Sequence, residues 1–474
     1  MHTNVRAVLL AAGLLSALVG GTQAATALCG EPNTLTNVAG TLWFNACDPT
    51  HGVEVWRSNG TPAGTKLVKD IDPGGASGGG LSFVRFKGKT WFAANDGSRG
   101  GELWTSDGTP RGTRLFKDIV PGVAGSNPNL LTVVGDMLYF AASDATHGRE
   151  LWRSNGTVAG TNLVKDIVTG IGGAGPESLK ALGNMLLFRA YSSAGGVELW
   201  RSNGTQTGTK QVKDIAPGVG SSYPQNPTVL GTSVYFQATD GTGFELWRTD
   251  GTASGTTRVK DINAGAGDGA APLPMAIVNG KLLFSAFDGS SGYELWSSTG
   301  TATGTKRIKD INVGAGDSAP NALVRSGTRV FFSARTNATG GELWITNGSA
   351  SGTKLVKDII PGAPTSFPLF LTPIDGGVVF HAETSAAGPE LWRSNGTDGG
   401  TLIVKDILPG AADPGQWPRY LTAVGTTVYF TASDGVHGYE LWKTDGTSDG
   451  TKMVEDINPA AVTARLTRRP HTSQ

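Results

Sequence analysis

The chain has 474 residues, of which 39 are Lys or Arg, 39 are Asp or Glu and 70 are Gly, so its formal charge is zero. Glycine stands at about twice its usual ~7% share while 38% of residues are hydrophobic, which excludes a disordered chain and, without a strict glycine period, a collagen. Balanced charge also argues against nucleic acid as a partner, because binding phosphates needs a concentrated basic patch.

Residues 1–24 read as an export signal: Arg6 supplies the charged start, Val8 to Val19 an apolar run, and Thr22-Gln23-Ala24 a cleavage site. The run is shorter than the ~20 apolar residues a membrane-crossing helix needs, so no transmembrane segment is expected. Loss of Arg6 with the signal leaves 38 basic and 39 acidic residues, a charge of −1. The expected destination is secreted or periplasmic. Thr26-Ala27-Leu28-Cys29 departs from a lipoprotein cleavage box at the bulky Leu28, so lipidation is not expected. The two cysteines, Cys29 and Cys47, are expected to form a disulfide in an oxidising compartment; two free thiols are the alternative.

From there the chain repeats. A Glu-(Leu/Val)-Trp triplet recurs with its tryptophan at Trp56, Trp104, Trp152, Trp200, Trp247, Trp296, Trp344, Trp392 and Trp442, at spacings of 47 to 50 residues. Fourteen residues after each tryptophan stands the aspartate of an Asp-Ile pair, from Asp70 to Asp456, with no insertion in any copy. A loop of constant length is a structurally fixed loop.

Stretches such as Glu102-Leu103-Trp104-Thr105-Ser106-Asp107-Gly108-Thr109 and Glu440 to Thr447 resemble the ELWxxDGT repeat proteins of bacteria, over about residues 34 to 457. The resemblance implies an exported bacterial protein and carries no established biochemical role. Asparagine replaces the motif aspartate at Asn59, Asn155, Asn203, Asn347 and Asn395, Thr299 replaces it once, and Val55 stands for the leucine in the first copy.

The copies lie near 34–71, 81–119, 129–167, 178–215, 227–262, 273–311, 322–359, 369–407 and 419–457, followed by a tail from 458 to 474 that is expected to be disordered. Within the third copy, β-branched and aromatic runs bounded by turn residues predict strands at Leu130 to Val134, Met137 to Ala142, Arg149 to Ser154 and Asn162 to Ile167. All connections are short enough for an antiparallel meander, with Gly135-Asp136 as a two-residue hairpin. Leu and Trp of each triplet point to opposite faces of their strand, which makes sense if each sheet is covered on both sides. The expected fold is all-β: a propeller of nine four-stranded blades that bury the nine tryptophans, with no strand swapped across the seam. A ring of fewer blades plus an irregular unit, or an open array, are the alternatives.

Because the Glu of each triplet and the Lys before each Asp-Ile pair (Lys69, Lys117, Lys165, Lys213, Lys260, Lys309, Lys357, Lys405) recur in every copy or nearly so, they are expected to serve the scaffold. Glu455 takes the place of the lysine in the last copy. Specificity is then expected where copies differ, on the face where the loops between second and third strands and the links between blades emerge. Candidate binding residues there are His51, His147 and His437, which share one loop position, with Tyr191, Tyr223, Phe367 and Trp417. No metal or cofactor is expected: the loop aspartates Asp96, Asp144, Asp240, Asp288 and Asp434 resemble calcium loops only in having Asp beside a turn, and the alternating oxygen ligands are missing. No nucleophile elbow, HExxH pair, phosphate loop or unique acid pair occurs in the sequence. The expected function is a monomeric, non-catalytic module that binds a surface glycan or protein. The alternatives are an exported polysaccharide hydrolase or lyase with a loop-built central site, and a structural component of the envelope or matrix.

Overall fold

The structure, a computed structural model, describes residues 31–264, 267–269, 275–409 and 417–459. The export signal, Cys29 and almost all of the expected tail fall outside the described residues. Among the described residues thirty-six strands form nine four-stranded sheets, each an antiparallel meander in chain order. In the third blade they run Asn129–Val134, Met137–Asp144, Gly148–Ser154 and Thr161–Lys165. The outermost strand stops before the expected Ile167 because Glu150 in the neighbouring strand accepts the backbone N–H of Val168 and so turns the chain into the next link.

Each blade buries both faces, and the Glu-Leu-Trp strand shows how. Leu295 of blade six faces forward and packs with Phe332 and Trp344 of blade seven. Leu343 of blade seven in turn meets Phe380 and Trp392 of blade eight. The leucine therefore points to the next blade and the tryptophan to the previous one, as strand alternation requires. Nine apolar clusters of this kind fill the nine blade boundaries.

One of the nine clusters closes the ring: Phe44 and Ala46 of blade one pack against Tyr429, Leu441 and Val454 of blade nine. Among the described residues no strand crosses this seam. Side-chain bonds tie it near the axis instead, from Thr431 Oγ1 to the Pro32 carbonyl at 2.6 Å, Thr422 Oγ1 to the Leu35 carbonyl at 3.1 Å, and Asn37 Nδ2 to the Ala423 carbonyl at 2.9 Å.

Eight of the nine motif tryptophans are buried, at 5 to 8% exposure, but Trp56 at the seam is only half-buried. That departs from the expectation of nine buried rings, and the residue facing Trp56 across the seam also differs from its counterparts. Lys165, Lys213, Lys260, Lys309 and Lys405 each donate to the carbonyl of a threonine in the following blade, at 2.8 to 3.0 Å. On that path the ammonium groups of Lys165, Lys260 and Lys309 lie 5.8, 5.8 and 5.9 Å from the ring centres of Trp200, Trp296 and Trp344. Glu455 holds the corresponding place before Trp56 and has no ammonium to offer.

The motif's polar half builds the turn after the tryptophan strand. Asp107 Oδ1 accepts the N–H of Thr109 at 2.9 Å and its hydroxyl at 2.7 Å, and Thr109 Oγ1 accepts the N–H of Gly112. Asn59 and Asn155 do the same work through Oδ1, so either residue type serves wherever one side-chain oxygen is required. Gly108 sits at φ +91°, where an L side chain is strained. Behind the turn a hydroxyl pair, Ser106 with Thr113 at 2.6 Å, recurs in all nine blades down to Thr444 with Thr451.

Candidate functional site

The nine motif glutamates are buried at 0 to 1% exposure and hold the links between blades. Glu102 accepts the N–H groups of Ile119, Val120 and Ser126 and the Ser126 hydroxyl, at 2.7 to 3.0 Å. Glu198 and Glu294 repeat the same set. Burial pushes the carboxyls up, to about 7 in Glu150, Glu245, Glu342 and Glu390 and to about 8 in Glu440. These groups face the link backbone, which makes them clamps.

The clamped links lie against the turns between second and third strands, so both sit on one face. A Cβ at Gly52 would meet the Ala76 carbonyl oxygen at 2.2 Å, and one at Gly148 the Ile171 carbonyl oxygen at 2.4 Å, contacts that only glycine permits. Turns that carry an aspartate are closed by it. Asp48 accepts the N–H groups of Thr50 and His51, Asp96 those of Ser98 and Arg99, and Asp288 those of Ser290 and Ser291. Such donors leave these carboxylates serving as turn caps.

Three of the predicted site residues are in these turns and do not converge. His51, His147 and His437 belong to blades one, three and nine, and each ring Nδ1 meets its own turn aspartate, Asp48, Asp144 or Asp434, at 2.7 to 2.8 Å. The aspartate raises the imidazole's pKa in all three, and the hydrogen bonds of the turn lower the aspartate's against the opposing effect of burial. Among the described residues no group of three or more His, Cys, Asp or Glu is placed to hold a metal ion. Tyr191, 43% exposed, lies at the end of the second strand of blade four.

The other predicted aromatics share a feature of the innermost strands. The second residue of that strand adopts a left-handed conformation in eight blades, at Thr34, Ser82, Leu130, Ser178, Asn226, Ala322, Phe370 and Tyr420, with φ between +51° and +59°. The pairing shifts register there, as between Asn33 and Thr36, so each is a β-bulge. Three residues earlier, on the link, stand Tyr223 in blade five, Phe367 in blade eight and Trp417 in blade nine. The predicted aromatics therefore occupy one equivalent position, and two of them are on adjacent blades.

Blades eight, nine and one carry the site that the sequence did not reveal. Their innermost strands border a solvent-open depression of about 240 Å³ lined by residues 34–35, 370–372 and 420–422. The bulge rings Phe370 and Tyr420 are each 40% exposed. Beside them, Arg419 pairs with Glu31 at 3.1 Å and lies over the rings of Tyr439 and Trp417, 4.4 and 5.8 Å from their centres, while Tyr420 Oη donates to Glu31 at 3.4 Å. Beneath Trp417, 5.9 Å between ring centres, His381 is 2% exposed and its Nδ1 has no hydrogen-bond partner. In blade one the equivalent Asn45 accepts the N–H of Gly80, but Pro418 stands in that place after His381 and has no N–H. Burial pulls the His381 pKa down to about 4.

No protein-family model matches the chain, and no curated protein matches it. Among solved structures it is similar to the computationally designed Ika8 protein, with 15% identity over 77% of this chain and 95% of that one and a TM-score of 0.41. It is also similar to a puromycin hydrolase (14% identity, 77% of this chain, 58% of that one, TM-score 0.38). A prolyl endopeptidase structure matches at 11% identity over 77% of this chain and 55% of that one, with a TM-score of 0.41. The chain spans under two thirds of the length of either peptidase, and at these scores the likeness carries neither activity nor site to it.

Proposed function

We propose that this is an exported, monomeric, non-catalytic binding module of the ELWxxDGT repeat kind, secreted or periplasmic, stapled by a Cys29–Cys47 disulfide, that presents one face of its ring to a glycan or protein. One contrast carries this reading. Side chains that recur in every blade are directed inward to links, turns and neighbouring blades, whereas exposed Tyr223 and Phe367, at 48 and 51%, share with Trp417 a position occupied elsewhere by Glu31, Asn127 and Ala319. Large rings in a few copies of an otherwise small or polar position suit recognition, since aromatic residues anchor many binding surfaces.

The test is a glycan-array and pull-down screen with residues 25–474, run beside a Tyr223→Ala, Phe367→Ala, Trp417→Ala triple variant. The expected result is a ligand retained by the parent and lost or weakened in the variant. Cleavage of a polymer by the parent protein, or binding that the variant keeps in full, contradicts the reading.

A further inference from the structure

We infer that the depression between blades eight, nine and one is a carbohydrate subsite, in which Phe370 and Tyr420 stack on the terminal ring of an uncharged oligosaccharide and Glu31 accepts hydrogen bonds from its hydroxyls. This deepens the binding-module reading and rests on it.

Three observations lead there. First, the bulge position asks for a small or turn-forming side chain, because a bulky L residue in the left-handed region is strained by about 1–2 kcal/mol. Ser82, Ser178, Asn226 and Ala322 comply, whereas Thr34 and Leu130 do not, and neither of those is aromatic. Two neighbouring blades hold a phenylalanine at φ +55° and a tyrosine at φ +58° instead. Among the eight bulges only these two carry aromatic rings, and they lie side by side along one depression.

Second, both rings remain 40% exposed and line the same depression, so two aromatic faces on adjacent blades are open to a ligand at one place. The depression, about 240 Å³ and open to solvent, has room for the end unit of a sugar chain. A pyranose offers an apolar C–H face to an aromatic ring and hydroxyls at its edge.

Third, the polar groups next to the Tyr420 ring fit hydroxyls of a neutral ligand. Glu31 and Arg419 are paired at 3.1 Å and cancel each other's charge, so a charged ligand gains no counter-ion. The Glu31 carboxylate, held by Arg419 and the Tyr420 hydroxyl, keeps acceptor capacity for a ligand O–H beyond those two bonds.

Cellohexaose, maltohexaose and chitohexaose, with oligogalacturonate as the acidic control, are titrated calorimetrically into residues 25–474 and into a Phe370→Asn, Tyr420→Asn variant. Asparagine already occupies this position in blade five as Asn226, so the variant folds at least as stably as the parent, which thermal unfolding checks. At least one neutral hexasaccharide should bind, the acid should bind more weakly, and the variant should lose at least about tenfold in affinity at equal or higher Tm. The inference is overturned if no neutral oligosaccharide binds, if the acid binds best, or if the folded variant binds as tightly as the parent. The broader reading fails separately, through the array and pull-down outcomes of the Tyr223, Phe367 and Trp417 variant.

Discussion

Lys165 of blade three crosses to blade four, where its Nζ donates to the Thr209 carbonyl at 3.0 Å while lying 5.8 Å from the ring centre of Trp200. One side chain thus caps the turn of the next blade and roofs its tryptophan. Among the described residues the lysine-to-threonine bond recurs at six boundaries and adds an electrostatic part to each of them, whereas Glu455 offers no ammonium at the seam.

The seam is therefore improvable. Glu455→Lys should place an ammonium near the Thr65 carbonyl and over Trp56, stabilising the fold by about 0.5–1.5 kcal/mol and blue-shifting Trp56 emission. Lys165→Met, with similar length and no charge, should destabilise by about the same amount. Thermal unfolding of both variants measures this, and an unchanged Tm for Glu455→Lys would show that the lysine roof contributes nothing.

Buried glutamates set a pH dependence. Their folded pKa lies above the 4.5 of the free side chain, so the folded state binds the proton more tightly and their contribution is complete below pH 4.5. It fades as pH rises through about 7 for Glu150, Glu245, Glu342 and Glu390 and about 8 for Glu440. Stability should accordingly decline between about pH 5 and 9, and Glu440→Gln should flatten the upper part of that decline while costing about 1 kcal/mol for an imperfect clamp. Denaturant midpoints across this range supply the measurement.

Histidines should divide into two groups by NMR titration. His51, His147 and His437 should titrate above the ordinary 6.5, each raised by its own aspartate, whereas His381 should stay neutral until about pH 4. For the three exposed pairs the stabilisation is present below pH 6.5, is lost as pH rises through the elevated histidine pKa, and is lost at the acid end as the lowered aspartates protonate. Solvent screening keeps each pair's effect small. A His381 resonance that moves near pH 6.5 would mean that its ring is wet.

Turn chemistry separates charge from hydrogen bonding. Asp107→Asn should change stability by less than about 0.5 kcal/mol, since Oδ1 remains to accept from Thr109, while Asp107→Ala should cost about 1–2 kcal/mol. Chemical denaturation of the two variants decides it, and equal losses would mean the charge is what matters.

What could be read from the sequence differs by element. The constant distance from Trp to Asp-Ile and the alternation of Leu and Trp were enough for nine blades facing one another, because strand period and loop length are local properties. The exchange of Asp107 for Asn59 at one motif position marked a shared oxygen acceptor. Recurrence of Glu and Lys identified scaffold but not their targets, which are backbone groups 17 to 24 residues onward or a whole blade away. The bulge was hidden: Thr34, Leu130, Phe370 and Tyr420 share no residue type, none is glycine, and the last two read as ordinary strand hydrophobics. A recurring proline two residues ahead, as in Pro32, Pro128, Pro368 and Pro418, was the available sign of an irregular strand start.

A crystal structure of residues 25–474 decides whether the ring closes as described. It should show nine blades joined without a swapped strand, Thr431 donating to the Pro32 carbonyl across the seam, and the motif leucine and tryptophan on opposite faces of each blade. A gap between blades nine and one, or a ring with fewer blades and an extruded repeat, would contradict it.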